Sequence, residues 1–174
     1  MIIALHGHAQ SGKNEVGRIL VENYGFEQIA YADPIKEMLY ALNPWIDKRY
    51  RLQDLVDEGG WDRAKQRAEV RRLLQVFGTE VMQGQFGPYV WINLLLDELK
   101  AGRNYVITDA RFVQEVSVAL RNHRWKILRP GVGPVNDHVS DQGLPDELFG
   151  HVLQNDGTLE DLRALVAQVF DERL

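Results

Sequence analysis

Cysteine is absent from this 174-residue sequence, and its absence removes several kinds of chemistry at once. The chain forms no disulfide, no thiolate metal site and no cysteine nucleophile. Long apolar runs are missing too, since the most apolar stretch, residues 90–96, is far too short to span a bilayer. No basic residues precede the apolar run at residues 1–7, so we expect a first strand there and not a secretory signal. We therefore expect a cytoplasmic protein without a membrane partner.

An excess of positive charge is also lacking, because the formal net charge is −5. Proteins that coat nucleic acid cluster Lys and Arg against the phosphate backbone. We therefore expect no nucleic-acid partner, although a pocket for a small nucleotide needs only a few well-placed cations. The length fits one domain, over residues 1–174, and is sufficient to bury a core.

Short apolar runs alternate with segments of helical spacing along the whole chain. We predict strands at residues 2–5, 26–31, 105–108, 125–128 and 151–153, and helices at residues 13–24, 34–42, 61–77, 90–100, 114–122 and from 159 to the C-terminus. Strands separated by helices pair in parallel, which predicts a three-layer α/β domain. Residues 43–60 are predicted as a loop. Residues 129–148, rich in Pro and Gly and without a period, are predicted as a lid segment.

The strongest chemical signal is the phosphate loop, residues 7–13, which follows the pattern of Gly, four residues, Gly and Lys between a strand and a helix. Gly7 and Gly12 can adopt backbone angles that turn successive N–H groups toward one anion. The following helix adds its positive end, and Lys13 adds a charge for the β- and γ-phosphates of ATP. The alternative is a glycine-rich turn that only connects strand to helix. The predicted nucleotide-binding residues are Gly7, Ala9, Gln10, Ser11, Gly12, Lys13, Asn14 and Glu15.

A magnesium ion is expected beside this loop, and two residues are candidates to bind it. Asn14 stands where Ser or Thr is usual, and its side-chain oxygen could bind the ion or a bound water. Asp109 follows the apolar run 105–108, as does the acid that holds Mg²⁺ through water in phosphoryl-transfer enzymes. Alternatively, Asp109 caps the next helix. Arg111 is placed to reach phosphate.

Taken together, the motifs resemble the bacteriophage deoxynucleoside monophosphate kinase family over nearly the whole chain. The resemblance is carried by residues 11–13, 31–36, 73–75, 78–80 with Trp91, 108–112, 138–141 and 155–158. It implies a nucleoside-monophosphate-kinase-like P-loop fold, with ATP on the phosphate loop and an acceptor-binding region at about residues 33–90. The implied reaction is direct in-line transfer of a phosphoryl group from ATP to a deoxynucleoside monophosphate.

The resemblance also assigns roles to single residues. It implies that Lys13, Asp109, Arg111 and Arg129 serve catalysis, with Arg129 opening the lid segment. Near the adenine of ATP it implies Asn155, Gly157 and Thr158. On the acceptor side it implies Asp33, Lys36, Arg71, Gln75 and Glu80, with an exposed face of Trp91 against the base or sugar.

Two departures from the family pattern leave details of the site open. Asn14-Glu15 differs from the usual pair after the lysine, which leaves the direct Mg²⁺ ligand open, and Gln83 stands where an arginine is expected, which leaves open which arginines clamp the acceptor. Separately, a P-loop kinase for another small acceptor, such as dephospho-coenzyme A or a sugar acid, is an alternative. So is a nucleotide-binding switch without catalysis. The oligomeric state, a homodimer included, is left open.

Overall fold

The computed structural model describes residues 1–135 and 137–171. Residue 136, within the predicted lid segment, and residues 172–174, at the end of the last predicted helix, lie outside the described residues. None of the described helices is long and apolar enough to cross a bilayer.

Five parallel strands form one central sheet in the order β2-β3-β1-β4-β5. The central strand β1 pairs with β3 on one side and β4 on the other, with Ala4 opposite Ile107 and Arg124. All five predicted strands are confirmed, with bounds that differ by one or two residues. They are β1 Ile2–His6, β2 Glu27–Ile29, β3 Tyr105–Ile107, β4 Arg124–Leu128 and β5 His151–Gln154.

Helices connect these strands, which confirms the predicted α/β class with a parallel sheet. A π-helix, Val76–Gln83, and short 3₁₀ turns at Arg121–His123, Val139–Asp141 and Asp146–Leu148 complete the described elements. The α-helices are α1 Lys13–Tyr24, α2 Ala32–Leu42, α3 Leu52–Ala64, α4 Ala68–Gln75, α5 Gly84–Phe86, α6 Val90–Glu98, α7 Val113–Val116 and α8 Leu159–Asp171.

The chain divides into two compact units. The first comprises residues 1–30 and 95–174, and the second comprises residues 31–94. The first unit contains the sheet, and its core packs α1 and α8 side chains such as Val16 and Val166 with Trp125 of β4. The second unit contains the region expected to bind the acceptor. That assignment and the single-domain organisation stay predictions.

The largest differences from the predicted elements lie in the second unit. Helix α3 begins at Leu52, inside the predicted loop 43–60, because Asp54 accepts a hydrogen bond of 2.8 Å from the Arg51 backbone N–H and so caps the helix. The predicted helix 61–77 is interrupted before Ala68, and Gly78 does not end it, since the backbone continues as the π-helix.

In the first unit, helix 114–122 is shorter than predicted. Helix α7 ends at Val116, and a separate 3₁₀ turn follows at Arg121–His123. The predicted lid segment has no long element, as expected. Its two 3₁₀ turns are the only regular structure among its described residues.

Two adjacent glycines in α3 have different conformations, and this difference generates a test of the fold. Gly60 has φ 72° and ψ 173°, a region that is essentially restricted to glycine, whereas Gly59 is helical. Gly60→Ala should lower the free energy of unfolding by about 1–3 kcal/mol. Gly59→Ala is the comparison variant. Its backbone is helical, and alanine favours a helix by about 1 kcal/mol, which offsets the movement that its Cβ requires of the Arg63 side chain (Cδ at 2.2 Å).

Urea denaturation of the two variants and the parent measures this difference. Equal stability of the two variants would contradict the kink at Gly60.

Candidate functional site

The phosphate loop joins β1 to α1 and contains three residues with positive φ. These are Gly7 (φ 150°), Gln10 (φ 66°) and Gly12 (φ 107°). A Cβ on Gly7 would lie 2.4 Å from the Ile127 carbonyl oxygen, and one on Gly12 would lie 2.4 Å from Asn155 Nδ2. Both positions therefore require glycine. This is the backbone form in which successive N–H groups can converge on an anion.

Lys13 begins α1 and folds back over the loop. Its Nζ donates hydrogen bonds of 2.7 Å to the carbonyl oxygens of Gly7 and His8. Burial, and next the positive charge of Arg111, lower the Lys13 pKa to about 8, while the carboxylates of Asp109 and Asp141 act in the opposite direction. The amine is still mostly protonated at neutral pH. Asp109 and Arg111 therefore lie near enough to Lys13 to act on its charge, and we call these three residues the electrostatic cluster. Their roles in catalysis stay predictions.

Asp141, which the sequence did not single out, completes this cluster. Its carboxylate is only 8% exposed and accepts a hydrogen bond of 2.5 Å from Arg111, which also donates to the Ser140 carbonyl at 2.9 Å. The His138 ring contacts the Ser140 hydroxyl at 2.9 Å and orders the same turn. Because 44% of the Arg111 side chain stays exposed, its remaining donors can reach an anion.

Glu115 supports the turn that presents Asp109 and Arg111. It is 4% exposed, and Oε2 accepts hydrogen bonds from the backbone N–H groups of Arg111 (2.7 Å) and Phe112 (3.1 Å). Burial, with a smaller contribution from the nearby Asp109 charge, raises the Glu115 pKa to about 7. A Glu at the third position of a helix is a known capping signal, and it could have identified this residue.

The alternative role for Asp109 as a helix cap is wrong. Phe112 occupies the capping position of α7 and Glu115 accepts the free N–H groups, so the Asp109 side chain is not required there.

Asn155 follows β5 and contacts the phosphate loop. Its side chain is buried and donates a hydrogen bond of 2.8 Å to the Ser11 carbonyl, while its backbone N–H donates to Leu128. Ser11 itself is 1% exposed, and its hydroxyl has no hydrogen-bond partner among the described residues. Buried hydroxyls are normally paired, so this oxygen is an exception within the phosphate loop.

The other residues expected near adenine lie at the start of α8. Thr158 caps this helix through reciprocal hydrogen bonds with Asp161, and Gly157 lies against the same carboxylate. Their contact with a nucleotide stays a prediction.

His6, at the end of β1, joins three segments around the site. Its Nδ1 lies 2.9 Å from the Ala110 carbonyl, and the Leu144 backbone N–H donates to its Nε2 at 3.1 Å. This pattern requires a neutral ring with the proton on Nδ1. Burial lowers the His6 pKa to about 4. The ring also stacks on Phe149 at 5.3 Å, so one uncharged imidazole holds the end of the lid segment against the sheet.

Three other predicted site residues lie apart from this cluster. Asn14 is exposed on the first turn of α1, and Arg129 is exposed just after β4. Glu15 pairs with Arg18, and the hydrogen bond from that guanidinium lowers the Glu15 pKa. Within the described residues no group of three His, Cys, Asp or Glu is arranged to hold a metal ion.

The predicted acceptor residues belong to the second unit. Asp33 and Lys36 form an ion pair of 2.6 Å in the first turns of α2. Arg71 donates a hydrogen bond of 2.6 Å to the Lys65 carbonyl. Gln75 is half-buried and Glu80 is exposed.

The expectation of an exposed Trp91 face is wrong. The indole is only 2% exposed, and its Nε1–H donates to the Gly78 carbonyl at 2.8 Å. An apolar ring with an internal partner for its N–H is stable in the core.

Comparison with known proteins agrees with this geometry. The family model for deoxynucleotide monophosphate kinase matches residues 61–166. A deoxynucleotide monophosphate kinase of Escherichia phage RB69 is 32% identical over 108 residues, which cover 58% of this chain and 44% of the relative. The enzyme of the same name from Enterobacteria phage T4 is 33% identical over 100 residues, which cover 53% of this chain and 42% of the relative. The chain therefore aligns with less than half the length of each relative.

The buried neutral His6 predicts a pH dependence of stability. Its folded-state pKa of about 4 lies below the ordinary 6.5, so the unfolded chain takes up the proton first as the pH falls. Stability from this group is present above about pH 6.5 and is lost as the pH falls toward 4, by up to about 3 kcal/mol. Buried Glu115 acts in the opposite sense over part of this window, because its folded-state pKa is raised to about 7.

Comparison with His6→Gln cancels the Glu115 contribution, since both proteins retain that residue. The measurement is the free energy of unfolding from pH 7 to pH 4 for each protein. The parent should lose more stability than His6→Gln across this range. Parallel curves would show that His6 is not held neutral.

Proposed function

This chain belongs to the deoxynucleotide monophosphate kinase family, and from that premise we propose that it transfers the γ-phosphoryl group of ATP to a deoxynucleoside monophosphate. The observation that carries the proposal is the cluster of Lys13, Asp109 and Arg111 beside the phosphate loop. In that loop, Gly7 and Gly12 lie too close to neighbouring atoms for any residue with a Cβ. The family match covers Asp109 and Arg111, and the loop geometry supplies the phosphate-binding part independently.

The proposed reaction is a direct in-line displacement. An oxygen of the acceptor phosphate attacks the γ-phosphorus while the bond to the β,γ-bridging oxygen breaks and ADP leaves. Because the acceptor oxygen is already a nucleophile, the protein mainly positions the groups and neutralises charge. Loop N–H groups and the start of α1 hold the phosphates, and Lys13 exchanges its contacts with the Gly7 and His8 carbonyls for phosphate oxygens.

Magnesium is the expected metal, and the oxygen donors present fit it. The Asp109 carboxylate and the unpaired, buried Ser11 hydroxyl are hard ligands of the kind Mg²⁺ prefers, with the exposed Asn14 amide as a third candidate. When bound, the ion would neutralise charge on the β- and γ-phosphates. Few protein ligands are needed, since this ion retains water and takes phosphate oxygens.

Arg111 and Arg129 are proposed to stabilise charge on the transferred group. Arg111 is oriented in advance by Asp141 and Ser140, which leaves less side-chain entropy to lose when an anion binds. Arg129 begins the lid segment, whose closure would exclude water and prevent wasteful hydrolysis of ATP.

The acceptor is proposed to bind the second unit through Asp33, Lys36, Arg71, Gln75 and Glu80. Lys36 is the strongest cation candidate there, because its side chain is only 20% exposed and Asp33 already fixes its ammonium. Trp91 would act through the turn at Gly78 and not by direct contact. The cytoplasmic location and the homodimer stay predictions.

ADP formation from ATP and Mg²⁺, with each deoxynucleoside and ribonucleoside monophosphate supplied in turn, tests the proposal. Stimulation by one or more deoxynucleotides is expected. Dephospho-coenzyme A and a sugar acid complete the panel, and stimulation by one of these alone would favour the rival kinase. Tight ATP binding without transfer to any acceptor would indicate a switch.

Lys13→Ala should lower turnover roughly a hundredfold or more, because a preorganised charge at the transferring phosphate is lost. Lys100→Ala removes an equal charge from an exposed position away from the loop and should leave turnover unchanged. Circular dichroism verifies that both variants are folded. Normal turnover in folded Lys13→Ala would refute the assignment of the phosphate loop.

Asn155→Ala should raise the KM for ATP about fivefold or more while the KM for the acceptor changes little. The Ser11 carbonyl loses its hydrogen bond from the buried Asn155 amide, which destabilises the bound conformation of the phosphate loop by about 1–3 kcal/mol. Asn155→Asp, which keeps the shape but removes the donor, should be at least as impaired. The neighbouring exposed Gln154→Ala is the control. An unchanged KM for ATP in both Asn155 variants would exclude this positioning role.

A further inference from the structure

A second cationic surface lies in the second unit, on the loop between α2 and α3. We define the arginine–aromatic loop as residues 45–51, Trp45-Ile46-Asp47-Lys48-Arg49-Tyr50-Arg51. From this loop and the adjacent Arg67 we infer a binding surface for single-stranded nucleic acid. The inference does not depend on the proposed kinase reaction.

The loop is a rigid structure and not a disordered basic tail. Asp47 Oδ1 accepts hydrogen bonds from the backbone N–H groups of Arg49 (2.8 Å) and Tyr50 (3.0 Å). The Ile46 N–H donates to the Tyr50 carbonyl at 2.9 Å, and Trp45 pairs with Arg51 in a short antiparallel bridge. The Ile46 side chain is buried and anchors the loop. The loop therefore presents its side chains in one arrangement.

Two aromatic rings on this surface are each stacked by an arginine. The Arg51 guanidinium lies 4.5 Å from the centre of the Trp45 ring, and that of Arg67 lies 4.8 Å from the centre of the Tyr50 ring. Trp45 nevertheless stays 58% exposed, so much of this residue is accessible to a ligand. An exposed indole beside fixed cations is the platform on which a nucleic acid base stacks.

The charge of the loop favours a phosphate-containing ligand. Lys48 and Arg49 are exposed at its tip, and Arg51 is held beside the Trp45 ring. The single carboxylate within the loop, Asp47, forms an ion pair of 2.7 Å with Arg67, so these two charges offset each other and the three other cations set the local charge. The chain's net charge of −5 is a whole-molecule sum and does not describe this local surface. An acidic peptide would use the cations but not the exposed indole.

The loop part of this surface lies away from two predicted acceptor residues of the same unit. It follows the C-terminus of α2, whereas Asp33 and Lys36 lie in the first turns of that helix. The 11 residues of α2 span about 16 Å, more than a mononucleotide phosphate needs. Arg67 lies nearer to the acceptor residues, because its carbonyl accepts a hydrogen bond of 3.3 Å from the Arg71 backbone N–H. A ligand with several phosphates and bases therefore suits this surface better than a single nucleotide.

Fluorescence anisotropy of a labelled single-stranded oligodeoxynucleotide of about 12 nucleotides tests the inference. Affinity should fall roughly twentyfold between about 50 mM and about 200 mM salt if three phosphates are contacted. An abasic oligonucleotide of the same length should bind more weakly. Equal binding of the abasic strand, or of an acidic peptide of equal charge, would overturn the inference, because stacking would then contribute nothing.

Variants locate the binding on the loop. Trp45→Ala should weaken binding about fivefold or more, whereas Tyr89→Ala, which removes an equally exposed aromatic ring outside the loop, should not. Arg49→Glu should weaken it further, while Lys100→Glu, with the same change of net charge at a distant exposed residue, should have little effect. Loss of binding in Lys13→Ala, or equal loss in loop and control variants, would contradict the location.

Discussion

The close approach of the phosphate loop to β4 and to the residue after β5 is the constraint on which the site depends. Gly7 lies against the Ile127 carbonyl and Gly12 lies against the Asn155 amide, in both cases closer than a Cβ permits. Positive φ at both glycines lets the chain turn from the central strand into α1 within a few residues. The same packing places the Ser11 carbonyl within reach of Asn155, so the loop is fixed by its neighbours and not by its own sequence alone.

The surroundings of the phosphate loop reduce the free-energy cost of burying the Lys13 ammonium. Lys13 is partly removed from water, yet its ammonium donates to two carbonyl oxygens, and the carboxylates of Asp109 and Asp141 favour its charge from a greater distance. Buried charges are tolerated when they are paired in this manner. Because Asp141 belongs to the lid segment and also holds Arg111, part of that segment is an element of the charged site itself.

Three further side chains hold the backbone segments around the site in place. His6 connects β1 to Ala110 and to Leu144, and Glu115 accepts hydrogen bonds from the N–H groups of the turn after Asp109. Lys126 donates hydrogen bonds to the Leu144 carbonyl and to Asp146. A site held by side chains that do not touch the expected ligands can keep its geometry before those ligands bind.

Local patterns in the sequence determined the parallel α/β sheet and the phosphate loop, because glycine positions and strand ends carry those signals within a few residues. Tertiary structure alone decided the roles of Asp141 and Asn155, whose partners come from other segments. Trp91 shows the same limit of sequence-based prediction. The sequence identifies an aromatic residue there, but it does not show that the indole is buried with its N–H donating to the Gly78 carbonyl. Helix α3 begins where Asp54 caps it, and its kink depends on the positive φ of Gly60. The spacing of apolar residues along the sequence predicts neither feature. Contacts between residues distant in sequence are set by packing, and packing is a property of the whole fold.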